Sequence, residues 1–426
     1  MPDSRTPSQD QAEPEITCNV PGSFAHGVLH ERHPAIIERV VQAYPYPPHQ
    51  RARLDALLVE ITTGVMQPLD DGGDDHEQWY EWTRPYLGKS WYDARWLLAE
   101  SYFYRKILAA VCYFDPGPWR YVDPFAPTKR ADLYGSAVDG QLAALDALGN
   151  QSTDRVDAVL LEASLWGNRA DLGFRLTQPE SDTTGELVVD DRERLWELLD
   201  TPSASSGLAG ASAGPAGANA GQSPHESTVH VIADNAAAEL LPDLVLIDHL
   251  LTTGRASRVV LHVKPYPYYV SDATSADVID CLRRLVDATG YARESGCRLW
   301  EAMRSARLVV ATHPYWCSPL SFHDMPDELR ATLATATLTI VKGDLNYRRL
   351  LGDRLWSPTR PFDELVAYFP SPVAALRTLK SDVIAGLAPD TVAALDSTGQ
   401  PWRTSGSHAL VQVSVPAGAA HQGQEG

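Results

Sequence analysis

Four short runs of apolar and β-branched residues alternate with helical patterns in the second half of the chain. The runs are Thr228–Ala233, Ser257–Lys264, Ala306–Thr312 and Thr335–Val341, and the helical patterns lie at Asp243–Thr253, Ala276–Thr289 and Pro326–Leu333. Strands separated by helices return by crossovers, so the alternation predicts parallel βαβ units with right-handed connections. A further strand is expected at Ala409–Val415 and a last helix near Ser371–Leu387. Upstream, helical periodicity at Ala35–Tyr44, Arg51–Val65, Tyr92–Tyr113 and Ala137–Leu148 makes residues 35–150 a helical layer. Pro21–Pro34 is too rich in turn formers for a long helix. The expected fold is therefore α/β: a helical N-terminal part packed on a Rossmann-like three-layer α/β domain with a mostly parallel sheet. The expected divisions are a disordered tail at 1–16, helices over 17–155, an α/β catalytic domain over 156–415, and a loose tail at 416–426. Within the α/β domain, the Ser/Ala/Gly-rich residues 202–227 read as a low-complexity insert.

Parallel strands all end on one edge of their sheet, where open α/β folds bind ligands. The first run ends at Asp234-Asn235, just before a helical pattern that starts at Glu239-Leu240. Read alone, that pair is more readily a turn or an N-cap than a ligand pair. The other runs change the weighing. They end at Lys264, leading to Val270-Ser271-Asp272; at Thr312-His313; and at Lys342-Gly343-Asp344-Leu345-Asn346-Tyr347-Arg348. Acids, amides and bases thus converge on one edge. Asp234, Asn235 and Asp272 are hard oxygen ligands suited to Mg²⁺ or Mn²⁺. Lys264, Lys342, Arg348 and Lys380 supply positive charge for an anionic substrate, best matched by a phosphate. Each has a blander role as well: Lys264 and Lys342 as strand-end side chains that snorkel, Asp344 as an N-cap. The polar loop Gly167-Asn168-Arg169, after an apolar helical run, reads either as a C-cap or as a segment facing the site.

The net charge of −19 argues against a nucleic-acid backbone or an anionic membrane surface as partner. The five cysteines, Cys18, Cys112, Cys281, Cys297 and Cys317, are scattered without a CxxC pair, which argues against a disulfide framework or a thiolate zinc site. No apolar run is long enough to span a membrane and residues 1–16 do not resemble a signal peptide, so a soluble cytoplasmic protein is the expectation. His26, His30 and His33 invite a metal reading, but packing or substrate contact fits their spacing better.

Five spaced motifs, in order, carry a resemblance. They are Pro21–Pro34; Leu165-Trp166-Gly167-Asn168 with Asp171-Leu172; Asp234-Asn235 with Glu239-Leu240, together with Val270-Ser271-Asp272; Lys342–Arg348 followed by Gly352-Asp353 and Trp356; and Arg377-Thr378-Leu379-Lys380. Over about residues 17–390 the sequence resembles the damage-control phosphatase family, domain-of-unknown-function group 89. It looks closest to the branch described both as acidic-residue methyltransferases and as sugar-phosphate phosphatases, with its Arg-Thr-x-Lys signature. The resemblance implies a metal-dependent phosphomonoester hydrolase acting on small phosphorylated metabolites, for instance fructose 1-phosphate or fructose 6-phosphate. It implies that Asp234, Asn235 and Asp272 ligate a divalent ion (Mn²⁺, Mg²⁺, Co²⁺ or Ni²⁺) and that Asp234 orients or activates the nucleophile. It implies that Glu239, Lys264, Asp344, Asn346, Arg348, Lys380 and Asn168 contact the substrate.

Two positions depart from the family pattern. Ala237 stands where Gly is usual after Asp-Asn-Ala, and Gly173 where Ser is usual after Asp171-Leu172. If the glycine serves a positive φ or a close backbone approach, Ala237 alters the local geometry. Two other functions compete. An S-adenosylmethionine-dependent carboxyl methyltransferase would want a glycine-rich turn after its first strand, and Asn235-Ala236-Ala237-Ala238 is not one. A catalytically inactive binding protein would not need the retained acids.

Overall fold

The structure, a computed structural model, describes residues 13–167, 187–200 and 227–416. The N-terminal tail up to residue 12, nearly all of the expected insert, Asn168, Gly173 and the tail beyond residue 416 lie outside the described residues. Seven strands form one sheet: β1 (Leu187–Asp190), β2 (Thr228–Ile232), β3 (Arg258–Val263), β4 (Leu308–Thr312), β5 (Leu338–Lys342), β6 (Val373–Thr378) and β7 (Ala409–Ser414). Their order is β1-β7-β6-β5-β2-β3-β4. Strands β2 to β6 run parallel to their neighbours, β7 pairs antiparallel with β6, and β1 is parallel to β7.

The chain moves outward from β2 through β3 to β4, then returns to the other side of β2 as β5. That reversal between β2 and β5 opens a crevice at their carboxyl ends. Side chains of the sheet alternate between two packed layers, as a pleated strand requires. Val373 and Ala375 join a core built with the N-terminal helices, including Trp96, Phe103 and Leu108. Ala374 and Leu376 join the opposite core, with helices Thr153–Trp166, Leu240–Thr252 and Gly290–Arg304. The fold is a helix–sheet–helix sandwich, mostly parallel, as the alternation predicted. No described helix is long and apolar enough to cross a membrane.

Three expectations are corrected. The segment near Ser371–Leu387 is not a helix: its Ala-Ala-Leu-Arg composition suits one, but Val373–Leu376 is buried between β5 and β7 and takes the ladder bonds on both sides. Residues 13–16 are held by the body: Ile16 N donates to Asp353 O at 3.2 Å, Ile16 O accepts from Trp96 N at 2.9 Å, and Leu355 N donates to Pro14 O at 3.1 Å. Third, Pro21–Pro34 is largely helical. Helix Phe24–Gly27, capped by Ser23 Oγ accepting from His26 N, passes through a π turn at Val28–Arg32 into helix His33–Ala43. Pro34 is tolerated because it falls at the junction, in the first turn of the following helix.

Candidate active site

Strand β2 delivers Asp234 and Asn235 to the crevice, and backbone bonds fix the turn that follows. Ala273 N donates to Asp234 O at 2.8 Å, and Ala236 N donates to Ser271 O at 2.7 Å. Lys264 N, past the end of β3, donates to Ala273 O at 2.9 Å. The 271–274 segment is therefore stitched between the ends of β2 and β3, with Asn235 and Asp272 paired as an antiparallel bridge. This brings together two acids and an amide that are 38 positions apart at most in sequence, as the strand-end argument required.

Side-chain bonds finish the arrangement. Asn235 Nδ2 donates to Asp234 Oδ2 (3.2 Å) and to Glu239 Oε2 (3.0 Å), and Asn235 Oδ1 accepts from Ser271 Oγ (2.6 Å). Lys264 Nζ sits 3.4 Å from Asp272 Oδ2, yet that oxygen is buried without a hydrogen bond. Burial pushes the Asp234 carboxyl well above the ordinary carboxylate range, with Asp272 and Glu239 adding to the rise. Asp272 is pushed up to about 6 by burial, against the pull of Lys264 and Lys129. The pocket thus crowds Asp234, Asp272 and Glu239 together, and among the described residues Asp272 Oδ2 has the ion pair to Lys264 but no hydrogen bond. Both features fit a hard divalent cation at Asp234, Asn235 and Asp272. The ligand set is two carboxylates and an amide; among the described residues no three His, Cys, Asp or Glu side chains converge as one metal-binding group.

Strand β5 supplies the facing wall. Gly343 has φ +82°, and a Cβ built on it would lie 1.9 Å from Asp234 Oδ2. Only glycine suits the conformation and leaves space for the carboxylate. Ala237 takes the conformation that the departure from the family pattern put in question: its φ is +54°, with a buried methyl group. Its methyl is accommodated, so the turn keeps its shape at a backbone cost of about 1–2 kcal/mol.

Several predicted contacts serve as braces. Lys342 is not free for an anion: Nζ donates to Ser164 Oγ at 2.6 Å and to Ser164 O, and lies 3.0 Å from Asp243 Oδ1. Arg348 is buried, donates to Glu100 (2.6 Å) and to both oxygens of Asp353 (2.7 and 3.1 Å), and stacks on Trp96. Its guanidinium is spent on structure. Asn346 Nδ2 donates to Ala233 O (3.0 Å) and Lys342 O (2.9 Å), tying the ends of β2 and β5 together. Asp344 accepts from Arg377 Nε (2.8 Å), Ser381 Oγ (3.0 Å) and Lys380 N (3.1 Å). Burial alone would raise the Asp344 pKa, but Arg377 and Arg348 hold it below the usual range. Arg377 and Asp344 thereby fix the turn that carries Lys380, whose half-exposed ammonium lies 3.8 Å from Glu239 Oε1. Glu239 and Lys380 form the open rim.

Sequence reasoning missed Lys129, whose Nζ donates to Asp272 O (3.0 Å) and to Asp123 and Asp277 (3.1 and 2.9 Å). Nothing in its helical surroundings marks it. It also missed Arg32, on the π turn, which lies within electrostatic reach of Glu100, Tyr104, Tyr269 and Asp344. The three nearby histidines drew attention instead: His33 is buried, stacked on Phe103 at 3.8 Å, with neither ring nitrogen bonded. His26 and His30 flank Tyr92, with the His30 Nδ1 3.3 Å from the Tyr92 hydroxyl.

Comparison with known proteins gives the family. The family model of the damage-control phosphatase ARMT1-like domain matches residues 28–395. Damage-control phosphatase ARMT1 of Danio rerio is 30% identical, over 94% of this chain and 97% of that one. The protein of the same name from Homo sapiens is 29% identical, over 93% of this chain and 97% of that one. A crystal structure of a DUF89 family protein from Pyrococcus horikoshii aligns with a TM-score of 0.44 at 13% identity, covering 87% of this chain and 93% of that chain. By a family match that spans most of its length, the chain belongs to the ARMT1-like damage-control phosphatase domain family.

Proposed function

We propose that this chain is a divalent-metal-dependent phosphomonoester hydrolase acting on small phosphorylated metabolites, with sugar phosphates such as fructose 1-phosphate or fructose 6-phosphate as the substrate class. The single observation that carries the metal requirement is the buried Asp272 Oδ2, without a hydrogen bond in a pocket crowded by Asp234 and Glu239. The family supports the reaction class. A bound Mg²⁺ or Mn²⁺ would supply Lewis-acid polarisation of a phosphoryl oxygen. Asp234, Asn235 and Asp272 would hold it. Asp234, facing Gly343 at the switch point, would orient the attacking nucleophile. Lys264 neutralises Asp272 from behind, and Glu239 with Lys380 would position the sugar hydroxyls and the phosphate at the rim.

Methyl transfer has weaker support. The turn after β2 is closed, with Ala236, Ala237 and Ala238 all buried against the helix that follows, where a nucleotide-like cofactor would need backbone access. The test is a phosphate-release screen over phosphorylated metabolites, with EDTA and with Mn²⁺, Mg²⁺, Co²⁺ or Ni²⁺ restored, and a methyl-transfer assay in parallel. Hydrolysis should depend on the added ion. Turnover indifferent to EDTA, or methyl transfer without hydrolysis, would overturn the proposal.

A further inference from the structure

The phosphatase reading requires a cation that can grip a phosphate, and most of the site's cations are already engaged. Lys342 is committed to Ser164 and Asp243, Arg348 to Glu100 and Asp353, and Arg377 to Asp344. Lys264 is buried beside Asp272, and Lys380 leans toward Glu239. Arg32 is different. Among the described residues it makes no hydrogen bond and no ion pair, although Glu100, Tyr104, Tyr269, Asp344 and Lys380 are all within its electrostatic reach. An exposed arginine near these acids that closes on no carboxylate among the described residues leaves its fork available.

The backbone beneath Arg32 is a second, independent observation. Residues Val28–Arg32 form a π turn inside an otherwise α-helical segment, with His33 N donating to Val28 O. The wider turn weakens the helix locally and persists where a side chain must be re-aimed, which is why such turns concentrate at functional sites. Here it is anchored on both sides. Val28 and Leu29 are buried, and the His33 ring lies flat on Phe103. The His33 ring, next in sequence to Arg32, lies 6.1 Å from the ring of Tyr104, which stacks at 4.5 Å on Tyr269, three residues before Asp272.

We propose that Arg32 is the phosphate-binding arginine of this site, carried on the π turn and without a hydrogen bond or ion pair among the described residues, so that a phosphomonoester dianion can bridge it to Lys380. The planar guanidinium takes two phosphate oxygens at once, which a lysine ammonium does not. The inference rests on the phosphatase reading for its substrate, but its test does not need turnover.

Inorganic phosphate is titrated calorimetrically into the metal-saturated full chain and into the Arg32→Met and Arg32→Lys variants, and sugar-phosphate kinetics are measured on the same preparations. Arg32→Met should weaken phosphate binding and raise KM by about 10- to 100-fold, the loss expected for a charge-assisted bidentate contact. Arg32→Lys should restore only part of that, and both melting temperatures should match the wild type because Arg32 has no hydrogen bond or ion pair among the described residues to lose. Phosphate binding in Arg32→Met within about twofold of wild type would overturn the inference. So would a clear drop in its melting temperature, which would make Arg32 a structural residue, or a wild type that binds no phosphate. If the wild type binds phosphate but hydrolyses no phosphomonoester, the phosphatase reading falls while the titration still decides the role of Arg32.

Discussion

Replacing Gly343 with alanine places one methyl group where the catalytic proposal has least tolerance. The added Cβ would stand 1.9 Å from Asp234 Oδ2, 2.0 Å from its Cγ and 2.6 Å from its Cβ, on a backbone with φ +82°. Holding alanine in the left-handed region costs about 1–2 kcal/mol, of which the stiffer unfolded chain returns roughly 0.4–1. Relief of the overlap requires the carboxylate or the β5 turn to move by more than an ångström. The backbone around Asp234 resists, because Ala233 N and Asp234 O are both bonded and Asn346 holds Ala233 O. Overpacking of this kind adds about 1–3 kcal/mol, so the variant should lose about 2–4 kcal/mol in all. For a chain this long that is a fall of only a few degrees in Tm, about 2–4 °C per kcal/mol being the upper end of the scale. Activity should suffer far more, since an ångström of misplacement costs about 100-fold. Thermal melts with and without Mn²⁺, beside initial rates of phosphate release, read both effects; the metal-induced rise in Tm should shrink as well. A Gly343→Ala enzyme with near-wild-type kcat and an unchanged metal response would refute the claim that Asp234 works from this position.

Asp272→Asn should abolish phosphate release and remove the loss of stability that the metal-free protein shows as pH rises from about 4 to about 6. The native carboxyl is pushed from 3.8 up to about 6, so its contribution to stability is full below pH 3.8 and is lost as pH rises through 6, costing up to about 3 kcal/mol at neutral pH. An unchanged pH dependence of Tm in EDTA would contradict the charge crowding. Arg348→Met should unfold readily in urea, by about 3–5 kcal/mol, because Glu100 and Asp353 are left buried without their partner; a folded variant with only a raised KM would return Arg348 to the substrate. Ala237→Gly should change urea stability by no more than about 1 kcal/mol, as relief of the left-handed strain is offset by chain entropy and a lost buried methyl. The buried His230–His262 pair, 2.8 Å apart, is held neutral chiefly by burial, His230 down to about 4 and His262 to about 3. Its stabilisation is present above pH 6.5 and is lost as the pH falls toward 4, and His230→Gln should flatten that part of a urea-stability profile by about 3 kcal/mol.

Local pattern made much of the molecule legible. The β-branched runs that became β2 to β5 carry their own period and length, and the acids and amide just beyond them were readable because parallel strands share an edge. Strand β6 was not readable: Ala374, Ala375 and Leu376 favour a helix by propensity, and only pairing with both β5 and β7 makes them a strand. The π turn at Val28–Arg32 was hidden for a similar reason, since Gly22, Gly27 and Pro34 look like loop residues until Ser23 and the neighbouring helix hold them.

The sequence alone determined the order of the strands along the chain, the edge at which chemistry would collect, and the residue types available there. Tertiary structure decided which charges are spent. Arg348 and Glu100, which meet at 2.6 Å, are separated by 248 positions, and no local pattern announces such a pairing. Arg32 looks like any other surface arginine until the fold brings Glu100, Tyr269 and Asp344 within its electrostatic reach. Propensity and periodicity act over a few residues, whereas desolvation and ion pairing depend on what the folded chain brings within a few ångströms. That difference in range is why the location of the site could be read from the sequence but the roles of its cations could not.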